Sequence, residues 1–229
     1  MGEAHADVLL DRLREQGVDL ETVPVVVPLR ETFAGKATAK GRHVKQSGGH
    51  GQFAICDIEV EPLPTGSGVE FEVKVVGGAV PTNYIPSVEK GVRAQAERGV
   101  TAGFPVVDFK VTLVDGKAHS VDSSDAAFQV AGALALREAA KAANVALLEP
   151  VQAVSVTVPD DYVGAVMSDL SGRRGRVTGT ESIGGERSVV NAEVPEIELL
   201  RYAVDLRAMT SGTASFTRRR ARYEVAPSN

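Results

Sequence analysis

After Pro150 the hydrophobic pattern runs strand, helix, strand, strand, helix, strand within about 80 residues, and few folds build a core from that order. The segments are VQAVSVTV, DYVGAVMSDLSG, GRVTGTES, RSVVNAEV, EIELLRYAVDLRAMT and TASFTRRRARYEV. Four strands of period two and two helices fit a ferredoxin-like β-α-β-β-α-β sandwich, with one sheet covered by both helices. The glycines of GTESIGGERS read as a hairpin turn, because no lysine and no helix follow as a phosphate cradle requires.

Upstream, the pattern predicts a second body of mixed α and β elements, so the chain is α+β. GEAHADVLLDRLREQG carries Val8, Leu9 and Leu13 at helical spacing and ends on Gly17. With VPVVVPL it looks like the tail of a domain whose other elements lie elsewhere. Ala54, Cys56, Ile58 and Val60 alternate, as do Val69, Phe71, Val73 and Val75, and PTGSG between them predicts a hairpin. PSVEKGVRAQAERG predicts a helix ending at Gly99. FPVVDFKVTLV predicts a strand closed by an Asp115-Gly116 turn, and SSDAAFQVAGALALREAAKAAN a long helix capped by Ser123 or Ser124.

The 229 residues allow one large domain or two small ones, and 43% hydrophobic residues suffice for a core. Cys56, the single cysteine, excludes an intrachain disulfide and sits in an apolar alternation as a core thiol. No apolar run reaches the ~20 residues of a membrane helix, and MGEAHADVLL lacks the features of a signal peptide, so a cytoplasmic protein without a membrane partner is expected.

The net charge is −5, yet Ala34 to Cys56 contains no Asp or Glu while Lys36, Lys40, Arg42 and Lys45 are all present. Within that stretch, QSGGHGQ joins two strand patterns. Its glycines let the backbone approach another surface closely, although a flexible hairpin loop explains the same composition. His119, Asp122 and Ser123 in one short loop are a poor nucleophilic triad, because near neighbours rarely reach triad geometry and Asp122 to Ser124 suit helix capping. His43, His50 and His119 match no metal-ligand spacing, so no metal is expected. The arginines of RRGR (Arg173 to Arg176) and of RRRAR (Arg218 to Arg222) could meet RNA phosphates or simply be solvated. The last strand lacks the aromatics of an RNA-recognition motif.

Taken together, HVKQSGGHGQF, GGAVPTNYIPSVEKGV, HSVDSSDAAF and the run from SDLSGRRGRV through NAEVP to YAVDLRAMTSGTASF resemble the C-terminal arms of translation elongation factor G, in that family's order. The resemblance implies a remnant of domain III over 1–32, a domain IV over 33–149 with a fold like ribosomal protein S5 domain 2, and a ferredoxin-like domain V over 150–229. It implies the C-terminal part of a ribosome-dependent GTPase that promotes tRNA–mRNA translocation. Its partners would be rRNA, the tRNA–mRNA of the decoding centre and the upstream GTPase domains, in a monomer. This fragment itself would be non-catalytic and bind no cofactor, since it has no P-loop; GTP and magnesium belong to the upstream G domain. Gln46, Ser47, Gly48, Gly49, His50, Gly51 and Gln52 match the tip loop of domain IV that enters the decoding centre. His119 matches the histidine of a second loop at the same end. His50 stands where many members carry Arg, and the last strand is arginine-rich where many carry acids. An elongation factor G-like paralogue acting in ribosome protection or recycling is therefore the alternative, and a stand-alone RNA- or protein-interaction module the competing class.

Overall fold

The computed structural model describes residues 3–21, 23, 25–46 and 51–227. The chain forms two compact units, one of Met1–Pro28 with Glu149–Glu224, the other of Leu29–Leu148 with Val225–Asn229. It opens on helix α1 (Glu3–Glu15). Val8 and Leu9 of that helix and Val23, Val25 and Val26 beyond it are exposed.

The Leu29–Leu148 unit contains β1 (Arg30–Phe33), β2 (Ala37–Lys45), β3 (Gln52–Pro62), β4 (Val69–Val73), α2 (Ile85–Arg98), β5 (Phe109–Lys117) and α3 (Asp125–Ala143). Period-two alternation puts Ala54, Cys56, Ile58 and Val60 of β3 on the buried side of the sheet, beside Phe109, Val111 and Leu113 of β5. Helix α3 covers them with Ala127, Phe128, Ala131, Ala135, Leu136 and Ala139, an apolar stripe at helical spacing. Each large side chain buried here contributes about 1.5–3 kcal/mol. The stripe is mostly alanine, which lets the helix approach closely: a Cβ on Gly41 of β2 would lie 1.9 Å from the Ala131 carbonyl oxygen. Cys56 is fully buried, and loss of hydration pushes its thiol pKa up to about 12.

Ser124 caps α3, its Oγ accepting from the Ala127 N–H at 3.2 Å, and α2 ends on Gly99 at φ 81°. The buried Glu31 carboxylate accepts the N–H groups of Val100, Thr101, Ala102 and Phe104 at 2.7–3.1 Å, which fastens the loop after α2 to β1.

Two local expectations fail in this unit. The sheet order is β2-β3-β5-β4, so β5 lies between the strands that PTGSG was expected to join as a hairpin, and β4 runs parallel to β5 through α2. Alternation is the same for either pairing, so periodicity could not separate them. Asp115-Gly116 is not a turn. The strand continues to Lys117 through a bulge, where pairing jumps from Asp57 with Asp115 to Ile58 with Leu113 and leaves Val114 extra.

The Glu149–Glu224 unit follows the expected β-α-β-β-α-β order with β6 (Val145–Pro159), α4 (Val163–Gly172), β7 (Arg176–Ser182), β8 (Arg187–Pro195), α5 (Tyr202–Met209) and β9 (Ser215–Val225). β9 pairs with β6, β6 with β8 and β8 with β7, which is the ferredoxin-like order. Val154, Val156, Val158, Val190, Ala192 and Val194 of the sheet meet Val166, Leu170, Tyr202 and Leu206 of the helices. Two details differ from the sequence pattern. β6 already begins at Val145 and passes through Pro150, which lies between the residues paired with β1 and those paired with β8. EIELLRYAVDLRAMT divides into a 3-10 turn at Glu196–Leu199 and the shorter α5.

Candidate functional site

β2 and β3 pair antiparallel down to Lys45 opposite Gln52, so the glycine-rich segment is the loop of their hairpin. Ser47, Gly48, Gly49 and His50 lie outside the described residues. Gln46 is exposed at one foot of the loop, and Gly51 and Gln52 form the other.

The second loop meets that foot. The Asp122 carboxylate accepts the Gly51 N–H at 3.0 Å and its main-chain carbonyl accepts the Phe53 N–H at 2.9 Å. Ser123 Oγ donates to the Phe53 carbonyl at 2.7 Å and accepts the His119 N–H at 2.9 Å. The His119 ring lies 5.9 Å from the Phe53 ring, tilted. Its Nδ1 is 3.3 Å from Asp122 Oδ2 and faces the N–H groups of Val121 and Asp122 at 3.3 and 3.2 Å. Thus Gly51, Gln52 and His119 share one end of the unit. Half of the His119 side chain remains exposed.

A hydrolytic triad does not form, because the Ser123 hydroxyl is committed to backbone groups. Ser123 and Asp122 do not cap α3 either; they tie two loops together. Gln52 is exposed, and its Oε1 lies 2.7 Å from Nε2 of the buried His43. Of the cations in the acid-free stretch, Lys36 pairs with Glu61 and Lys40 with Asp57, while Arg42 and Lys45 are exposed and have no carboxylate partner among the described residues. Sequence reasoning singled out HSVDSSDAAF but missed the bonding of Asp122, Ser123 and Phe53; the acid and hydroxyl clustered after His119 were the available signal. Among the described residues no cluster could hold a metal ion, and no helix is long and apolar enough to cross a membrane.

The arginine clusters are built differently. Arg173 donates to Asp169, Asp205 and the Glu198 carbonyl and stacks over Tyr202 with 5.1 Å to the ring centre. Arg174 makes a fork to Glu149 at 2.7 and 2.9 Å and reaches Glu198 at 2.9 Å. Arg222 and Arg176 both hold Glu193, and Arg222 also pairs with Glu224. The two guanidinium groups, Arg222 foremost, lower the Glu193 pKa to about 2. Arg218 and Arg219 stay exposed beside Ser155 and Asn191, and Arg220 covers Tyr223 at 5.6 Å.

A small sheet-and-helix unit whose His119 turn is bonded to Gly51 and Phe53, followed in sequence by a ferredoxin-like unit, is the architecture to which comparison with known proteins gives a family. Residues 25–144 match the family model for elongation factor G, domain IV, and residues 146–229 match that for the elongation factor G C-terminus. The chain belongs to the elongation factor G family. It is 68% identical over 99% of its length to an elongation factor G-like protein of Mycobacterium tuberculosis and 47% identical to elongation factor G of Aquifex pyrophilus, in each case covering 32% of the relative. A crystal structure from Thermus thermophilus superposes with a TM-score of 0.87 at 41% identity, over 99% of this chain and 34% of that one. The chain therefore spans about a third of the length of these relatives.

Proposed function

We propose that this chain is the ribosome-engaging part of a translational GTPase of the elongation factor G type, working in the cytoplasm as a monomer. On this reading Gln46 to Gln52 and His119 form the tip that enters the decoding centre and holds tRNA and mRNA during translocation. The supporting observation is the junction through Asp122, which holds the downstream foot of the glycine-rich loop at Gly51 beside a half-exposed imidazole. Backbone N–H groups and an imidazole suit RNA phosphate and 2′-hydroxyl oxygens, and glycine permits the closest approach. No bond is broken there. GTP and magnesium are assigned to the part of the relatives' length that this span does not cover.

The test is single-turnover translocation by the full-length protein. Replacing Gly48 and Gly49 with bulky residues, or His119 with Ala, is expected to slow translocation at least about tenfold with an unchanged thermal midpoint, since exposed loop changes rarely cost more than about 0.5 kcal/mol. Normal rates in both variants would remove the tip from the mechanism.

A second reading, an elongation factor G-like paralogue with altered ribosome function, draws on the name of the 68% identical relative and on His50 and the arginine-rich β9. It predicts that the full-length protein protects or recycles ribosomes while its translocation rate stays far below that of an elongation factor G. A full translocation rate would reject it.

A further inference from the structure

We propose that Asp122 is a positioning residue of the tip, holding the downstream foot of the glycine-rich loop against the His119 turn; this rests on the tip reading given above. Glycine loses more backbone entropy on ordering than any other residue, and the loop has glycines at 48, 49 and 51. If the loop orders only on meeting RNA, that cost subtracts from binding, and an anchor made beforehand removes part of it.

The anchor has several parts. One carboxylate oxygen takes the Gly51 N–H at 3.0 Å, so a side chain of the His119 turn reaches across to the glycine-rich loop. The Asp122 main chain adds the Phe53 N–H, and the neighbouring Ser123 adds the Phe53 carbonyl and the His119 N–H. The Asp122 side chain is partly buried, with 26% exposed, so its bond to Gly51 is partly shielded from water. Fit is tight as well. A Cβ at position 51 would come within 3.0–3.2 Å of the Asp122 carboxylate atoms, so a side chain there would push that carboxylate by a few tenths of an ångström.

Asp122→Ala removes the acceptor, while Asp122→Asn keeps an oxygen for the Gly51 N–H and removes only the charge. In the full-length protein, Asp122→Ala is expected to slow translocation about tenfold. It should also speed amide hydrogen exchange over residues 46–53 while leaving the thermal midpoint in place. Asp122→Asn is expected to restore both rate and protection, a rescue that general damage to the fold would not give. If Asp122→Ala translocates normally while the Gly48/Gly49 and His119 variants are slow, the clamp is overturned and the tip reading stands. If all of these variants translocate normally, the tip reading falls and the clamp with it. If Asp122→Asn is as slow as Asp122→Ala, the oxygen-to-Gly51 bond is not what positions the loop.

Discussion

The loop end of the Leu29–Leu148 unit and the arginine clusters of the Glu149–Glu224 unit both suggest RNA by composition, and the structure uses them in opposite ways. RRGR is the denser charge, yet its Arg173, Arg174 and Arg176 are all held by carboxylates of their own unit. The glycine-rich loop carries little charge, but its downstream foot is bonded to a second loop whose imidazole is half exposed. Charge density along a sequence thus says less about binding than the inventory of partners each charge already has.

The largest change expected from breaking this contrast on the arginine side is in stability. Arg174→Ala would leave Glu149, whose side chain is only 9% exposed, without its fork of hydrogen bonds. A loss of about 2 kcal/mol is expected, below the roughly 3–5 kcal/mol of a fully buried pair because Arg174 itself is partly solvated. Chemical denaturation reads it directly. If these arginines instead serve RNA, the variant would keep its stability and lose ribosome affinity.

A smaller effect is expected with acid. The Glu193 carboxyl is held near pKa 2 by Arg222 and Arg176, below its ordinary value of 4.5. A depressed folded-state pKa means that its stabilisation is complete above about pH 5 and fades as pH falls toward 2. Glu193→Gln should therefore flatten part of the fall in denaturation midpoint between about pH 5 and pH 3. An identical slope in parent and variant would mean that the pair contributes nothing measurable.

Much of this was legible in the residues. The β-α-β-β-α-β order after Pro150, the core face of β3 and the α3 stripe follow from hydrophobic period, because each reflects burial along one element. Strand neighbours were less legible: alternation in Val69 to Val75 does not say whether β3 or β5 lies beside it, since that choice depends on where α2 returns the chain. The bulge hid behind Asp115-Gly116, a dipeptide that serves a turn or an irregular strand equally well. For the site, the positions of Gly51, Gln52 and His119 at one end were readable from connectivity. Asp122 was assigned to capping because a short acid before a helix usually caps, and only the return of β3 beside it gives it another donor.

The most direct test of the tip's role places an iron-chelate hydroxyl-radical source on one introduced cysteine, with Cys56 left in place because it is fully buried and its thiol pKa is pushed up to about 12. Two ribosome-bound full-length variants are compared, Gln46→Cys at the loop foot and Arg219→Cys on β9. Cleavage of decoding-centre rRNA is expected from position 46, and none there from position 219. Cleavage of that rRNA from 219, with none from 46, would contradict the assignment of the tip.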